Sequence, residues 1–200
     1  MNKERKWIGF RDIILIALLS ALSIVIQLIS GVPFAAAPQL MMFISVAIIM
    51  IICGPIFVLL MSKAPRRGAA FTYVGILALY FLIIGQVFIG IVFFIGAILC
   101  ELVLLGGGYK SPVRIGLSYM VYAVFYVVGS YLPHLILADQ YTAQLVAAGM
   151  PQASIDSMMS WFASPLMILL AAINACIWAA VGAYIGYRMR KKHFAPAGVV

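Results

Sequence analysis

Charge is what this 200-residue chain has least of. Charged residues make up 9% of it, Asp and Glu number 5 against 13 Lys and Arg, and 66% of residues are apolar. A soluble domain of this size needs far more polar surface to cover its core, so the chain is read as an all-α integral membrane protein. Cysteine is scarce as well. Cys53, Cys100 and Cys176 each lie inside an apolar run, with no C-x-x-C and no His or acid at ligand spacing. They read as packed thiols, neither a disulfide framework nor a metal site. Walker, HExxH and GxSxG motifs are missing, and so is any pair of carboxylates within an apolar run. The expectation is a protein that is not an enzyme, with no metal and no intrinsic cofactor. No internal repeat is visible either, which counts against the inverted-repeat plan of many secondary transporters.

What is present is an ordered set of basic clusters. All 13 Lys and Arg fall within Lys3 to Arg11, Lys63 to Arg67, Lys110 to Arg114 and Arg188 to Lys192, and the intervening connections hold none. The net charge of +8 therefore reflects the positive-inside rule, with loops that meet anionic lipid headgroups, and nucleic acid is not an expected partner. Alternating the apolar runs between these clusters predicts six spans, about 12–30, 40–61, 69–84, 87–105, 113–136 and 164–187, in one domain with both termini cytoplasmic. The run through 69–105 is divided at Gly85-Gln86, because 36 residues as one helix would extend ~54 Å against a hydrocarbon core of ~30 Å. The first run, about 18 residues long, exceeds the core of a cleaved signal peptide and is read as a signal anchor. Gly54-Pro55 predicts a kink, and Gly106-Gly107-Gly108 a helix stop rather than a phosphate loop, since no GK[ST] follows. The external loop 137–163 is long, holds Asp139 and Asp156 and a Gly149-Met150-Pro151 break, and is expected to carry helical turns of its own, as a lid or as an interfacial segment.

Polar residues inside hydrocarbon are costly and mark either function or interhelical bonding. The first span carries two surfaces. Ala17 and Ala21 stand four apart with Ser20 between them, a small face that lets another helix approach closely. Ser20, Ser23, Gln27 and Ser30 form a polar stripe, and the two sets centre roughly 120° apart at ~100° per residue. Glu101 is the one acid well inside a span and is expected to pair with Lys110 or Arg114, or to serve a coupling surface. Tyr119 and Tyr122 are deep and structural. Candidates for an external cavity are Gln27, Tyr126, Ser130, Tyr131 and His134 on their helices, Asn174 near the middle of the last span, and Gln39, Gln86 and Trp161 from the three external loops. Gly182-Ala-Tyr-Ile-Gly186 is a GxxxG packing pattern.

The six-span plan, the Ala17-xxx-Ala21 face, Gly54-Pro55, Lys63-Ala-Pro-Arg-Arg-Gly68 and Tyr109-Lys-Ser111 together resemble the substrate-binding S components of energy-coupling factor (ECF) importers. Ser130-Tyr-Leu-Pro133 and Arg190-Lys-Lys-His-Phe194 with Ala197-Gly198 narrow the likeness to the Trep_Strep (MptD-type) branch. The resemblance extends over nearly the whole chain. It implies a receptor in the cell membrane of a prokaryote that captures a small micronutrient from outside. Such a receptor hands its cargo on through a transmembrane coupling (T) subunit and two cytoplasmic ATPase subunits. It further implies that Ala17, Ser20 and Ala21 contact the coupling subunit and that loops 31–39, 85–86 and 137–164 cap the ligand. The candidate residues favour a neutral aromatic compound, with a tetrapyrrole also open. The competing expectation is an autonomous small-molecule carrier or channel.

Overall fold

Long apolar runs cut by Pro and Gly can satisfy their backbone polar groups in hydrocarbon only as helices, and helices are what they form. The computed structural model describes residues 7–34 and 37–194. The basic residues 3–6, Ala35-Ala36 and Ala197-Gly198 lie outside the described residues. The helices are α1 (Phe10–Gly31), α2 (Pro38–Lys63), α3 (Ala69–Ile83), α4 (Val87–Leu104), α5 (Pro112–Ile136), α6 (Ala138–Ala147), α7 (Gln152–Phe162) and α8 (Pro165–Met189). No strand is present among the described residues. Among the described residues five helices are long and apolar enough to cross a membrane: α1, α2, α4, α5 and α8. The sixth expected span is α3, apolar but only 15 residues, which extends ~22 Å against a core of ~30 Å. The loop expected at 137–163 is a helical hairpin, α6 and α7, closed at Gly149 with φ +78°.

The six long helices form a ring in the order α1, α3, α4, α5, α8, α2, and α2 also touches α5 across the middle. The tightest joint is α2 against α8. A Cβ built on Gly182 would lie 2.3 Å from the Met50 carbonyl oxygen, one on Gly54 would lie 2.4 Å from the Gly182 carbonyl carbon, and one on Gly186 would lie 2.7 Å from Pro55 Cα. The GxxxG pair of α8 therefore interlocks with Gly54-Pro55 of α2, and backbone rests on backbone. The helix continues through Pro55. The irregular turn of α2 is elsewhere, a π-helical stretch at Met41–Ser45.

The described parts of the basic clusters gather at one end of the ring, where three side chains tie the loops together. Asp12, buried in the first turn of α1, accepts from the Gly9 amide (2.8 Å) and pairs with Arg66. Ile8 N donates to Arg67 O (3.3 Å), so the entry to α1 is bound to the α2–α3 loop. Glu101 does not pair with Lys110 or Arg114 as expected. Its carboxylate accepts from Gly68 N (2.8 Å), Phe71 N (3.2 Å) and the Tyr109 hydroxyl (2.6 Å). It thus caps the start of α3, where orphan amides and the helix dipole favour an anion. Burial first, and the Glu101 acceptor second, push the Tyr109 phenol above its ordinary pKa of 10. Arg114 instead turns to the end of α4, donating from Nε to Val103 O (2.9 Å) and from Nη1 to Gly106 O (3.5 Å). Gly106 and Gly107 stop α4 with φ of +68° and +91°.

Two predictions follow from this frame. Gly182→Ala drives a methyl into the Met50 carbonyl and should lower thermal stability in detergent by about 1–3 kcal/mol. The buried Gly75, whose added Cβ meets nothing within 4 Å, should accept Ala without loss, and equal stability of the two variants would refute the interlocking. The second concerns pH. Because the folded-state pKa of Tyr109 lies above its unfolded value, its contribution is complete below about pH 10 and falls as pH rises beyond it. Tyr109→Phe should flatten the alkaline limb of a stability–pH curve, and an unchanged slope counts against the buried bond.

Candidate functional site

Which polar side chains are committed to the frame, and which remain to line a hollow, decides where the site is. Ser20 Oγ donates to Tyr73 O (3.4 Å), the Tyr73 hydroxyl donates to Ser23 Oγ (2.7 Å), and Ser23 Oγ donates to Leu19 O (2.9 Å). Tyr119 donates to Met50 O (2.9 Å). Tyr119 and Tyr122 stack at 5.6 Å, and Tyr126 continues the column at 6.2 Å because residues three and four apart share a helix face. Phe57, Phe93 and Phe81 pack around them with ring centroids 5.1–6.2 Å apart. This aromatic column fills the middle of the ring and ends upward in a hollow.

The hollow, about 230 Å³, lies between α1, α3 and α5 and is lined by Ile24, Gln27, Leu28, Tyr80, Phe81, Ile84, Tyr126 and Ser130. Gln27 is anchored by its amide nitrogen, Nε2 to the Tyr122 hydroxyl at 3.2 Å, which leaves its carbonyl oxygen as an acceptor. None of the lining residues is charged. Gln27, Tyr126 and Ser130 thus line one hollow together. Tyr80 and Phe81 were not singled out, although Tyr80 stands seven residues after the buried Tyr73 and continues its helical face.

A second hollow, about 380 Å³, lies beyond the Ile84–Gln86 turn, between that turn and α6. It is lined by Gly85, Gln86, Val87, Phe88, Ile91, Leu137, Gln140, Tyr141 and Gln144. The Tyr141 hydroxyl donates to Gln86 Oε1 (3.1 Å) and joins the α6–α7 hairpin to the α3–α4 turn. Partial burial raises the Tyr141 pKa, so the phenol stays a donor through the physiological range. Its ring packs on His134 at 4.5 Å, and Phe162 of α7 meets His134 at 5.3 Å and Tyr131 at 4.9 Å. His134 Nδ1 is buried without a hydrogen-bond partner among the described residues. The hairpin therefore folds over the end opposite the basic clusters, held by Tyr141 on one side and Phe162 on the other. Gln140, Tyr141 and Gln144 were missed in the sequence, although they stand at i, i+1 and i+4 on one face of α6.

The other candidates are placed apart. Asn174 Nδ2 donates to Phe43 O (3.0 Å) and its Oδ1 accepts from Trp178 Nε1 (3.2 Å). Tyr131 donates to Met41 O (3.4 Å). Both side chains serve the π-helical stretch of α2, whose wider turn disturbs the regular bonding of its carbonyls, and neither lines the two hollows described above. Gln39 is exposed in the first turn of α2, and Trp161 of α7 is half-buried against the core. On α1, Ala17 and Ala21 are exposed whereas Ser20 is buried. Ser20 is thus removed from the outward surface expected for it by its bond to α3. No group of three or more His, Cys, Asp or Glu able to hold a metal occurs among the described residues.

The Tyr141–Gln86 contact is testable. One neutral hydrogen bond is worth about 0.5–1.5 kcal/mol, so Tyr141→Phe should speed amide exchange across residues 138–147 by roughly 2- to 12-fold, with exchange in α2 unchanged. No acceleration would mean that Tyr141 does not hold the hairpin.

A family profile described as hypothetical bacterial integral membrane protein (Trep_Strep) covers residues 10–195. No curated protein and no solved structure matches the chain.

Proposed function

Because the chain belongs to the Trep_Strep family of bacterial integral membrane proteins, we propose that it is the substrate-binding S subunit of an ECF-type importer. In this reading the basic end faces the cytoplasm, the α6–α7 hairpin lies outside, and an uncharged micronutrient is captured between α1, α3 and α5 beneath it. The observation that carries the reading is the division of α1. Ser20, Ser23 and Gln27 turn into the bundle, and Gln27 lines the hollow, while Ala17 and Ala21 stay exposed on another face of the same helix. A receptor that must hold a ligand and also press a helix against a transmembrane coupling subunit needs both surfaces. In lipid, close approach of small residues supplies the second. ATP hydrolysis then belongs to partner subunits, since no nucleotide-binding motif occurs in this chain.

The lining residues describe the ligand. Tyr80, Phe81 and Tyr126 offer ring faces, and Gln27 and Ser130 offer two polar points, in a volume of about 230 Å³. That is below the ~300–1,000 Å³ of drug-sized sites, which favours a single-ring or fused bicyclic compound over a tetrapyrrole. Uncharged walls exclude a strongly ionic cargo, which would lose its hydration without a counter-charge.

Ala17→Trp and Ala21→Trp place a bulky ring on the outward face without entering the bundle. Each should abolish co-purification with the coupling subunit and cut cellular uptake at least tenfold, while the isolated protein keeps its co-purifying small molecule by mass spectrometry. Gln27→Leu should do the reverse, losing the bound molecule while still assembling. Normal uptake by both Trp variants, or gradient-driven uptake by the protein alone in vesicles, would overturn the proposal in favour of an autonomous carrier.

A further inference from the structure

Across the ring from the α1–α2 edge, a groove of about 470 Å³ runs between α4 and α5. It is lined by Leu99, Leu102, Val103, Val121, Val124 and Phe125. Its walls follow from helical register: 99, 102 and 103 share one face of α4, and 121, 124 and 125 share one face of α5. The groove has a stop at one end. Phe125 seats against Gly96, where an added Cβ would lie 2.7 Å from the Phe125 Cβ.

At the other end is a cation. Arg114 precedes Val121 by seven residues and Phe125 by eleven, so it continues the same face of α5 about two turns beyond Val121 toward the basic end. Its Nε bonds the carbonyl of Val103, itself a wall residue, and Nη1 reaches Gly106 O. Those bonds use two of the five guanidinium donors and hold the plane beside the wall residue Val103, at the basic end of α4. Three donors remain for a further acceptor. The exposed Lys110 lies in the same short loop, and the Glu101 carboxylate that would offset the charge is occupied by Gly68, Phe71 and Tyr109.

We propose that this groove binds an anionic phospholipid of the leaflet facing the basic end, with an acyl chain along the α4–α5 walls and the phosphate at Arg114. An apolar trough that ends in a fixed guanidinium at headgroup depth matches the two parts of that molecule. An aqueous anion has no use for the trough, and a neutral lipid has none for the cation. The site is separate from the ligand hollow, and it leaves the exposed alanines of α1 clear. It stands whether or not the transport reading does.

The test is native mass spectrometry of the full chain in mild detergent, titrated with phosphatidylglycerol and, separately, phosphatidylcholine of identical acyl chains. The wild-type protein should retain phosphatidylglycerol preferentially. Arg114→Gln should weaken it about fivefold or more and leave phosphatidylcholine unchanged. Since Arg114 also holds the end of α4, Lys110→Gln provides a charge change at an exposed position and should weaken the same lipid to a lesser degree. Val124→Trp fills the trough from outside and should reduce both lipids, with thermal stability retained. Equal retention of the two lipids by the wild type overturns the proposal. So does indifference of phosphatidylglycerol to Arg114→Gln and Val124→Trp together, or a change from dimer to monomer on Val124→Trp with no effect on lipid, which would make the groove a contact between copies of this chain.

Discussion

The backbone contact between α2 and α8 is the constraint on which the rest of the bundle depends. In hydrocarbon no water is released when two helices meet, so their association rests on how closely atoms pack. Gly54, Gly182 and Gly186 remove the side chains that would hold the helices apart, and the approach leaves no space for a single added methyl. This contact sets the register of α2 against α8. That register in turn brings Asn174 beneath the Phe43 carbonyl and, with α5 alongside, Tyr131 beneath that of Met41. The π-helical turn at the outer end of α2 is therefore supported from two neighbouring helices, and α7 lies against its first residues.

Polar side chains inside the bundle divide into two groups by what their donors and acceptors meet. Ser20, Ser23, Tyr119, Tyr131 and Asn174 are committed to backbone carbonyls or to one another. Glu101 and Arg114 each cap a helix end. Gln27 is intermediate, since one end of its amide is held by Tyr122 and the other faces the hollow. Such an arrangement fixes the orientation of the amide and leaves its carbonyl oxygen able to accept.

The two ends of the molecule are built on opposite electrostatic plans. At the basic end, the carboxylates of Asp12 and Glu101 accept at helix starts, and arginines close a helix end or pair with a carboxylate, so the loops are tied. At the other end the hairpin α6–α7 is amphipathic and is held by Tyr141, Phe162 and aromatic packing around His134. Contacts of that kind open at smaller cost than the capped loops at the basic end.

Much of this was determined by the sequence alone. Membrane insertion, helix boundaries to within two residues at most ends, the turn at Gly85-Gln86, the stop at Gly106-Gly107 and the inward polar stripe of α1 are local consequences of hydropathy, charge placement and helical period, and each can be read from a window of one or two turns. The grouping of Gln27, Tyr126 and Ser130 was legible because each lies toward the same end of its helix. The fate of Asn174, Tyr131 and Glu101 was not, because it depends on partners 131, 90 and 33 residues away and on a π-helical turn without a plain sequence signal. Ser20 shows the limit most clearly. Ser20 stands beside Ala17 and Ala21 in the chain yet belongs to the polar stripe, and only α3 supplies the partner it finds there, the Tyr73 carbonyl. A hydrogen-bonding side chain in hydrocarbon takes whatever partner the packing presents, and packing is a property of the assembled helices rather than of any one of them.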